Sequence, residues 1–402
     1  MIKNHQLHSS ITGIPPHNLV KVPIKKQTFL SNLILGRLKK YGLHQMASFH
    51  YTRKLFGDIV YPYMPKRIQE NNYLYDFHAH SVNSDGRGTF KEILEEISLK
   101  KHLNGLAITD HPWHLGADGK KRIPDEKVIL RSFKFHELSE DFKKKGKLPE
   151  SFITFPGSCE FFMYLGEDFP GSVIELIAIG LPRDFIKNIK DLKRITNGYA
   201  LEFIERVHDN NGLVIVPHPF YFVRSYELFR SEKSINSLPD AIESINYSTG
   251  FLADKGYSEL FYKLPFGKEV EYIGLNFGYF NWMATIITQK NRYGKDFNAF
   301  PLAREIASLG SSDAHFKSML GAACTMTKEP ITSFEDLRQL FKKKETYPMY
   351  NLLWKENTNK YTVFKEIWES YGGTINKGLK ERPLLFWKLS KFFVDLLAYF
   401  WV

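Results

Sequence analysis

The sequence predicts an α/β fold built as a βα barrel, and three observations predict it. From about residue 71, short apolar runs alternate with stretches of helical spacing, the pattern of βα units around a mostly parallel sheet. Capping signals punctuate the helical stretches. At least five of the apolar runs end in a histidine or a carboxylate. In a closed βα barrel those strand ends meet on one face, where active sites are built.

Taken in order, residues 1–70 form a basic extension in which Leu30–Met46 has helical spacing, interrupted by Lys39-Lys40. Tyr61-Pro62-Tyr63-Met64-Pro65 breaks any regular element and marks a boundary. Leu74–His80 is the first expected strand. Thr89 and Glu92, three apart, make a capping box that opens a helix over Phe90–Lys101. Gly105–His111 is the second strand, and a lysine-rich helical stretch covers 125–147. Phe152–Glu160 and Val173–Gly180 are the third and fourth strands. A helix over Tyr199–Asp209 stops at Asn210-Asn211-Gly212. Leu213–His218, Ala241–Tyr247 and Ser308–His315 are further strands, with a helical and irregular stretch between, at 250–305. Thr332–Lys344 is a capped helix. Three regions result: 1–70, a domain of alternating strands and helices over 71–345, and 346–402.

Composition narrows the class. The two cysteines, Cys159 and Cys324, supply neither a disulfide framework nor a Cys-x-x-Cys site, which fits a reducing compartment. The N-terminus lacks the apolar core of a secretory signal, and no uncharged apolar stretch reaches the roughly 18–20 residues of a spanning helix. A cytoplasmic location is therefore expected. The net charge of +11 suits an anionic partner: a phosphorylated small molecule or nucleotide, nucleic acid, or an acidic membrane surface. The aromatic-rich segment 383–402, interrupted by Lys388, Lys391 and Asp395, reads as a helix packed on the protein's own domain or as a peripheral membrane contact.

The strand-end residues are His78, His80, Asp85, His111, Glu160, His218, Asp313 and His315. Residues two apart on a strand share a face, so His78 and His80 present two imidazoles to one point. Five imidazoles and three carboxylates without a thiolate suit Zn²⁺, Mn²⁺ or Fe better than Ca²⁺ or Mg²⁺. Eight groups exceed what one ion needs, so two or three divalent ions are expected, with Glu160 a natural bridge. Such a centre can activate a water and clamp phosphoryl oxygens.

At these motifs the chain resembles the PHP (polymerase and histidinol phosphatase) domain family. The pieces stand in the family's order: Asp76-Phe-His-Ala-His-Ser81 with Ser84-Asp-Gly86, Ala107-Ile-Thr-Asp-His111, Pro156-Gly-Ser-Cys-Glu160, Val216-Pro-His218, Ala241-Ile-Glu-Ser-Ile-Asn-Tyr247 and Gly310-Ser-Ser-Asp-Ala-His315, followed by Leu320-Gly321. The likeness is greatest to the small metal-dependent phosphoesterases with Asp at position 85. It implies a distorted (β/α)7 barrel with helical N- and C-terminal extensions and a trinuclear centre. His78, His80, Glu160 and Asp313 would hold the first metal, Glu160 and His218 the second, and Asp85, His111 and His315 the third. A metal-bridged hydroxide would attack the phosphate ester. The family has a histidine where this chain has Glu175, so Glu175 is a candidate ligand or supporting group, as is Asp110.

His114, Arg224 and Arg87 are candidates for substrate contact, or for proton donation in the case of His114, set against the plainer reading of solvated loop residues. His102, His136 and His208 sit in helical stretches and read as ordinary histidines. Two other functions stay open. An amidohydrolase-like metal hydrolase acting on C–N or C–O bonds also begins with His-x-His, but usually needs a carboxylated lysine bridge and a lone final Asp. A non-catalytic PHP scaffold would show lost ligands, and only position 175 departs.

Overall fold

The computed structural model describes residues 20–21, 60–61, 70–100, 102–115, 122–164, 173–186, 200–218, 239–247, 306–351 and 353–354. The expected helix at Leu30–Met46, the stretch 250–305 and the C-terminal aromatic helix lie outside them. From residue 70 on, the strands form two five-stranded sheets. In spatial order, sheet A contains β12 (Tyr347–Tyr350), β11 (Ala323–Thr327), β1 (Tyr73–Asp76), β2 (Gly105–Leu106) and β5 (Ile153–Thr154). Sheet B contains β10 (Ala307–Ser311), β9 (Ala241–Asn246), β8 (Leu213–Val216), β7 (Val173–Ile179) and β6 (Cys159–Tyr164). A separate antiparallel pair joins β3 (Trp113–Leu115) to β4 (Arg122–Pro124).

The fold is mixed α/β, but the sheets are not mostly parallel. β1–β2–β5 and β8–β9–β10 are parallel, whereas β11 runs antiparallel to β1 and β12, and β7 antiparallel to β6 and β8. The described strands also do not close into one barrel ladder. The two sheets meet through a parallel bridge of Ala79 with Ala314, through Glu160 N–H donating to Asp110 O at 3.4 Å and through Gly310 N–H donating to Thr325 Oγ1 at 3.1 Å. The reason lies at the strand ends. Regular pairing stops at Asp76, Leu106, Val216 and Ser311, so His78, His80, His111, His218, Asp313 and His315 leave the ladder, whereas Glu160 stays in it on β6.

The expected strand Phe152–Glu160 is instead two strands in different sheets. Pro156-Gly157 breaks it. Gly157 has φ +76°, and a Cβ there would lie 2.1 Å from Leu181 O, so only glycine fits. The Ser132 hydroxyl accepts from both Gly157 N–H and Ser158 N–H and holds the turn. β11 and β12 had no clear sequence signal, and the second of them extends sheet A past residue 345.

The helices α1 (Phe90–Lys100), α2 (Val128–Lys144), α3 (Ala200–Asp209) and α4 (Phe334–Lys343) follow their sequence signals within a few residues. Thr89 N–H donates to Glu92 Oε2 at 2.9 Å and Glu92 N–H returns to Thr89 Oγ1 at 3.3 Å, so the capping box forms. Ser333 and Asp336 make a second box on α4. Helix α3 buries Ala200, Phe203, Ile204 and Val207, the i, i+3, i+4, i+7 stripe of an amphipathic helix, and Asn211 at φ 58° ends it. Among the described residues no helix is long and apolar enough to cross a membrane.

Candidate metal centre

Past β1 the chain keeps its two-residue alternation. Phe77 and Ala79 are buried, and the Phe77 ring packs on Phe155 and Phe341 in the core. His78 and His80 face the other way and meet, Nε2 to Nε2 at 3.0 Å. His80 N–H donates to Ala314 O at 2.9 Å, which fixes this segment beside the last motif. There Asp313 adopts φ 50°, a left-handed backbone that a non-glycine residue rarely holds, and such outliers persist where the surroundings over-determine them. Its Oδ1 lies 3.3 Å from His78 Nε2 and 3.4 Å from His80 Nε2.

Glu160, fully buried on β6, stands at the middle. Its Oε2 lies 3.1 Å from His78 Nε2, 3.3 Å from His80 Nε2 and 3.7 Å from His111 Nδ1, while its Oε1 lies 3.6 Å from His218 Nε2. On the outer side Asp85 Oδ2 lies 3.4 Å from His111 Nε2 and 3.5 Å from His315 Nε2. The structure thus brings all eight strand-end residues together. Donor atoms of His78/Glu160/His218, His78/His80/Asp313, His80/Asp85/His315 and His80/His111/Glu160 each fall within 4.8 Å of one another. Glu175, on β7, reaches the same place from the side: its Oε2 is 3.4 Å from His218 Nε2.

The remaining candidates divide. Asp110 turns away from the imidazoles and accepts from Ser81 N–H at 2.7 Å, Ser81 Oγ at 2.6 Å and Ser84 Oγ at 2.9 Å, tying down the loop from His80 to Asp85. Arg87 N–H donates to His315 O at 2.8 Å. His114 lies on β3 opposite Ile123 in the ladder. Arg224 lies outside the described residues.

Three supporting residues escaped the sequence reading. Glu243 on β9 is wholly buried. Its Oε1 is 2.8 Å from His78 Nδ1, and its Oε2 accepts from His218 N–H and the Asn246 amide, both at 2.9 Å. A carboxylate at the centre of the apolar run Ala241–Tyr247 was the available signal. Asp76 accepts from Ser312 N–H, Ser312 Oγ and Gly321 N–H, 236 and 245 residues away in sequence, and joins the first motif to the last. Arg131 donates to His111 O at 3.0 Å while its guanidinium pairs with Asp125.

Residues 300–346, which include the Asp313-Ala-His315 motif, match the model of the PHP-associated family, PHP_C. That match covers the last motif, and the other ordered motifs converge on the same site. Over residues 300–346 the chain is similar to the PHP-associated family. Among solved structures, this chain is similar to a two-domain protein containing a predicted PHP-like metal-dependent phosphoesterase from Bacteroides vulgatus, at 14% identity and a TM-score of 0.37 over 70% of this chain and 65% of that one. It is also similar to PsfC from Pseudomonas syringae, at 15% identity and a TM-score of 0.39 over 75% and 99% of the two chains. A third is the lesion-specific endonuclease PfuEndoQ from Pyrococcus furiosus, at 16% identity and a TM-score of 0.38 over 69% and 57%. The chain therefore spans less than two-thirds of the Bacteroides and Pyrococcus proteins. A search of curated proteins gives no match.

The donor set of this centre fits divalent metal. Glu160 Oε1, His80 Nδ1 and His111 Nδ1 are buried without a hydrogen-bond partner among the described residues, a cost of about 1–3 kcal/mol each that a ligand would relieve. The field is strongly anionic. Burial lowers the His78 imidazole, but Asp313, Glu160 and Glu243 outweigh it and raise its pKa well above the ordinary range. His80 is likewise driven down by burial and up by Asp313, Asp85 and Glu160, to about 10. Burial pushes Glu160 and Asp313 up, and the imidazoles around them bring both well below the usual carboxylate range. Glu175 behaves oppositely: burial dominates and raises it.

Proposed function

We propose that this chain is a metal-dependent phosphoesterase that hydrolyses a phosphate mono- or diester at a centre of two or three divalent ions, Mn²⁺, Zn²⁺ or Fe. The observation that carries the reading is the position of Glu160, whose two carboxylate oxygens face different imidazoles, His78 and His80 on one side and His218 on the other. A buried carboxylate so placed could serve two adjacent ions. The ligand set would be His78, His80, Glu160 and Asp313; then Glu160 and His218 with Glu175 beside them; then Asp85, His111 and His315. Bound divalent ions of this kind lower the pKa of water and neutralise charge on phosphoryl oxygens.

The chain's own residues set the conditions for that chemistry. Glu243 holds His78 through Nδ1, so Nε2 faces the site, and a carboxylate partner of this kind fixes the ring and raises its basicity. Asp110 and the Ser81 and Ser84 hydroxyls fix the loop that carries Asp85. Trp113 stacks on the His111 ring at 4.8 Å and 9°, and excludes water from that side. No side-chain nucleophile is required. The Ala79–Ala314 bridge and the Glu160–Asp110 hydrogen bond support reading the two sheets as parts of one distorted barrel. Substrates of this reading are phosphorylated small molecules, nucleotides or nucleic-acid ends, which the basic chain would attract.

The test is metal analysis of the purified chain combined with hydrolysis of p-nitrophenyl phosphate and bis-p-nitrophenyl phosphate in Mn²⁺ and Zn²⁺. Two or three ions per chain and turnover of at least one ester are expected. Asp313→Ala should lower that turnover by at least ~10³-fold, the several kcal/mol that metal activation supplies, with the circular dichroism spectrum retained. Cleavage of C–N bonds but no phosphate ester would make it an amidohydrolase. A chain that binds no metal would make it a scaffold.

A further inference from the structure

A cavity of about 690 Å³ lies against the outer side of the centre. One wall is the loop Val82–Arg87, which contains Asp85. The other wall is one face of α2 and its N-cap: Lys127, Leu130, Arg131 and Lys134, at i, i+3, i+4 and i+7. Of the two acids lining it, Asp125 is taken by the Arg131 guanidinium and Asp85 faces His111 and His315. Arg131 is further held by His111 O. The exposed ammonium groups of Lys127 and Lys134 have no carboxylate partner among the described residues, and Arg87 lines the opposite wall. Helix α2 also presents its N-terminus here, with Lys127 at the N-cap, no side-chain cap and no acid in the first turn. Its backbone N–H groups and dipole add positive potential to the same space.

We infer that this cavity is a subsite for a second phosphate group, carried by the same substrate whose scissile phosphate lies at the metal centre. This rests on the phosphoesterase reading. Asp85 belongs to both places, so a substrate held at Asp85, His111 and His315 extends directly between Arg87 and the lysines. The volume lies within the range of small-molecule sites. A phosphate there meets cations from two elements and a helix N-terminus, whereas a neutral group would leave them solvated. The second phosphate can come from a bisphosphorylated small molecule or from the next unit of a nucleic-acid strand.

The experiment compares matched probes on the metal-loaded full chain: fructose 1,6-bisphosphate against fructose 6-phosphate, and pdTpdT against dTpdT. Equilibrium binding by calorimetry and kcat/KM are both measured. The two-phosphate member of at least one pair should bind about ten- to hundredfold more tightly, the worth of one or two charge-assisted contacts. That preference should collapse in Lys127→Glu/Lys134→Glu and persist in Lys91→Glu, a charge reversal on α1 outside the cavity. A gain confined to the sugar pair identifies a small bisphosphate, and one confined to the dinucleotide pair identifies a strand. Equal binding of both members in both pairs, or a preference untouched by the double reversal, overturns the subsite. Binding preference without any hydrolysis overturns the phosphoesterase reading and leaves the subsite standing.

Discussion

The two sides of the metal centre are built differently. On the inner side His78 and Glu160 are fully buried, and the Asp313 side chain is 7% exposed. Every group there is fixed by another: Glu243 on His78, Asn246 on Glu243 and on Asp313 Oδ2 at 3.3 Å, Asp76 across Ser312 and Gly321. On the outer side Asp85 and His315 are 28% and 30% exposed, and their supports are a serine-pinned loop and backbone contacts. The inner side is preorganised and dry, which strengthens each electrostatic contact. The outer side faces the cavity. On the proposed reading, the enclosed side would hold its ions most firmly, and the outer ion would lie where the ester enters.

The largest effect that breaks this comparison is loss of an inner ligand. Glu160→Gln should remove metal from more than one position, because both oxygens are engaged, and cut turnover by at least ~10³-fold. Asp85→Asn should cost only the outer ion and leave the others in place. Metal content per chain separates the two outcomes: a Glu160→Gln chain with full metal content, or an Asp85→Asn chain with none, would erase the distinction between the sides.

The next effect sharpens it. Glu243 touches no metal position yet sets the orientation of His78 and, through its backbone, His218. Glu243→Gln should weaken metal affinity about 10- to 100-fold, the usual worth of a carboxylate behind a ligating imidazole. Ser84→Ala, which removes one hydroxyl from Asp110 on the outer side, should cost less than tenfold, as one neutral-donor hydrogen bond warrants. Competition against a chelator measures both, and equal losses would show that the two sides are supported alike.

What could be read from the sequence follows the same division. His78, His80, His111, His218, Asp313 and His315 are legible because each ends an apolar run inside a motif, and those motifs come in a recognisable order. Glu243 and Asp76 were not given roles, since a carboxylate inside an apolar strand shows its purpose only when its partner, 165 or 236 residues away, is in view. Helix signals were legible because caps are local. Sheet closure was not, because it depends on where pairing stops: the Pro156-Gly157 break sends one expected strand into two sheets. Lys127, Leu130, Arg131 and Lys134 looked like part of a solvated lysine-rich helix, and only the loop opposite them makes that face a cavity wall.

The smallest effect concerns the frame behind the inner side. Tyr75 on β1 is buried against Phe77 and Phe155, and its hydroxyl accepts from Ile331 N–H at 2.7 Å. Burial raises its phenol from 10.0 to about 12. Between those values the unfolded chain gives up this proton and the folded chain keeps it. Stability is therefore full below pH 10 and falls as pH rises toward about 12. Tyr75→Phe should lower stability by about 1 kcal/mol at pH 8, from the orphaned Ile331 N–H, yet show a shallower alkaline loss than the parent. Urea midpoints at pH 8 and pH 11 on both chains give the comparison. If the two slopes match, Tyr75 titrates as it would in solvent, and the strand that carries His78 is less tightly enclosed than the dry inner side requires.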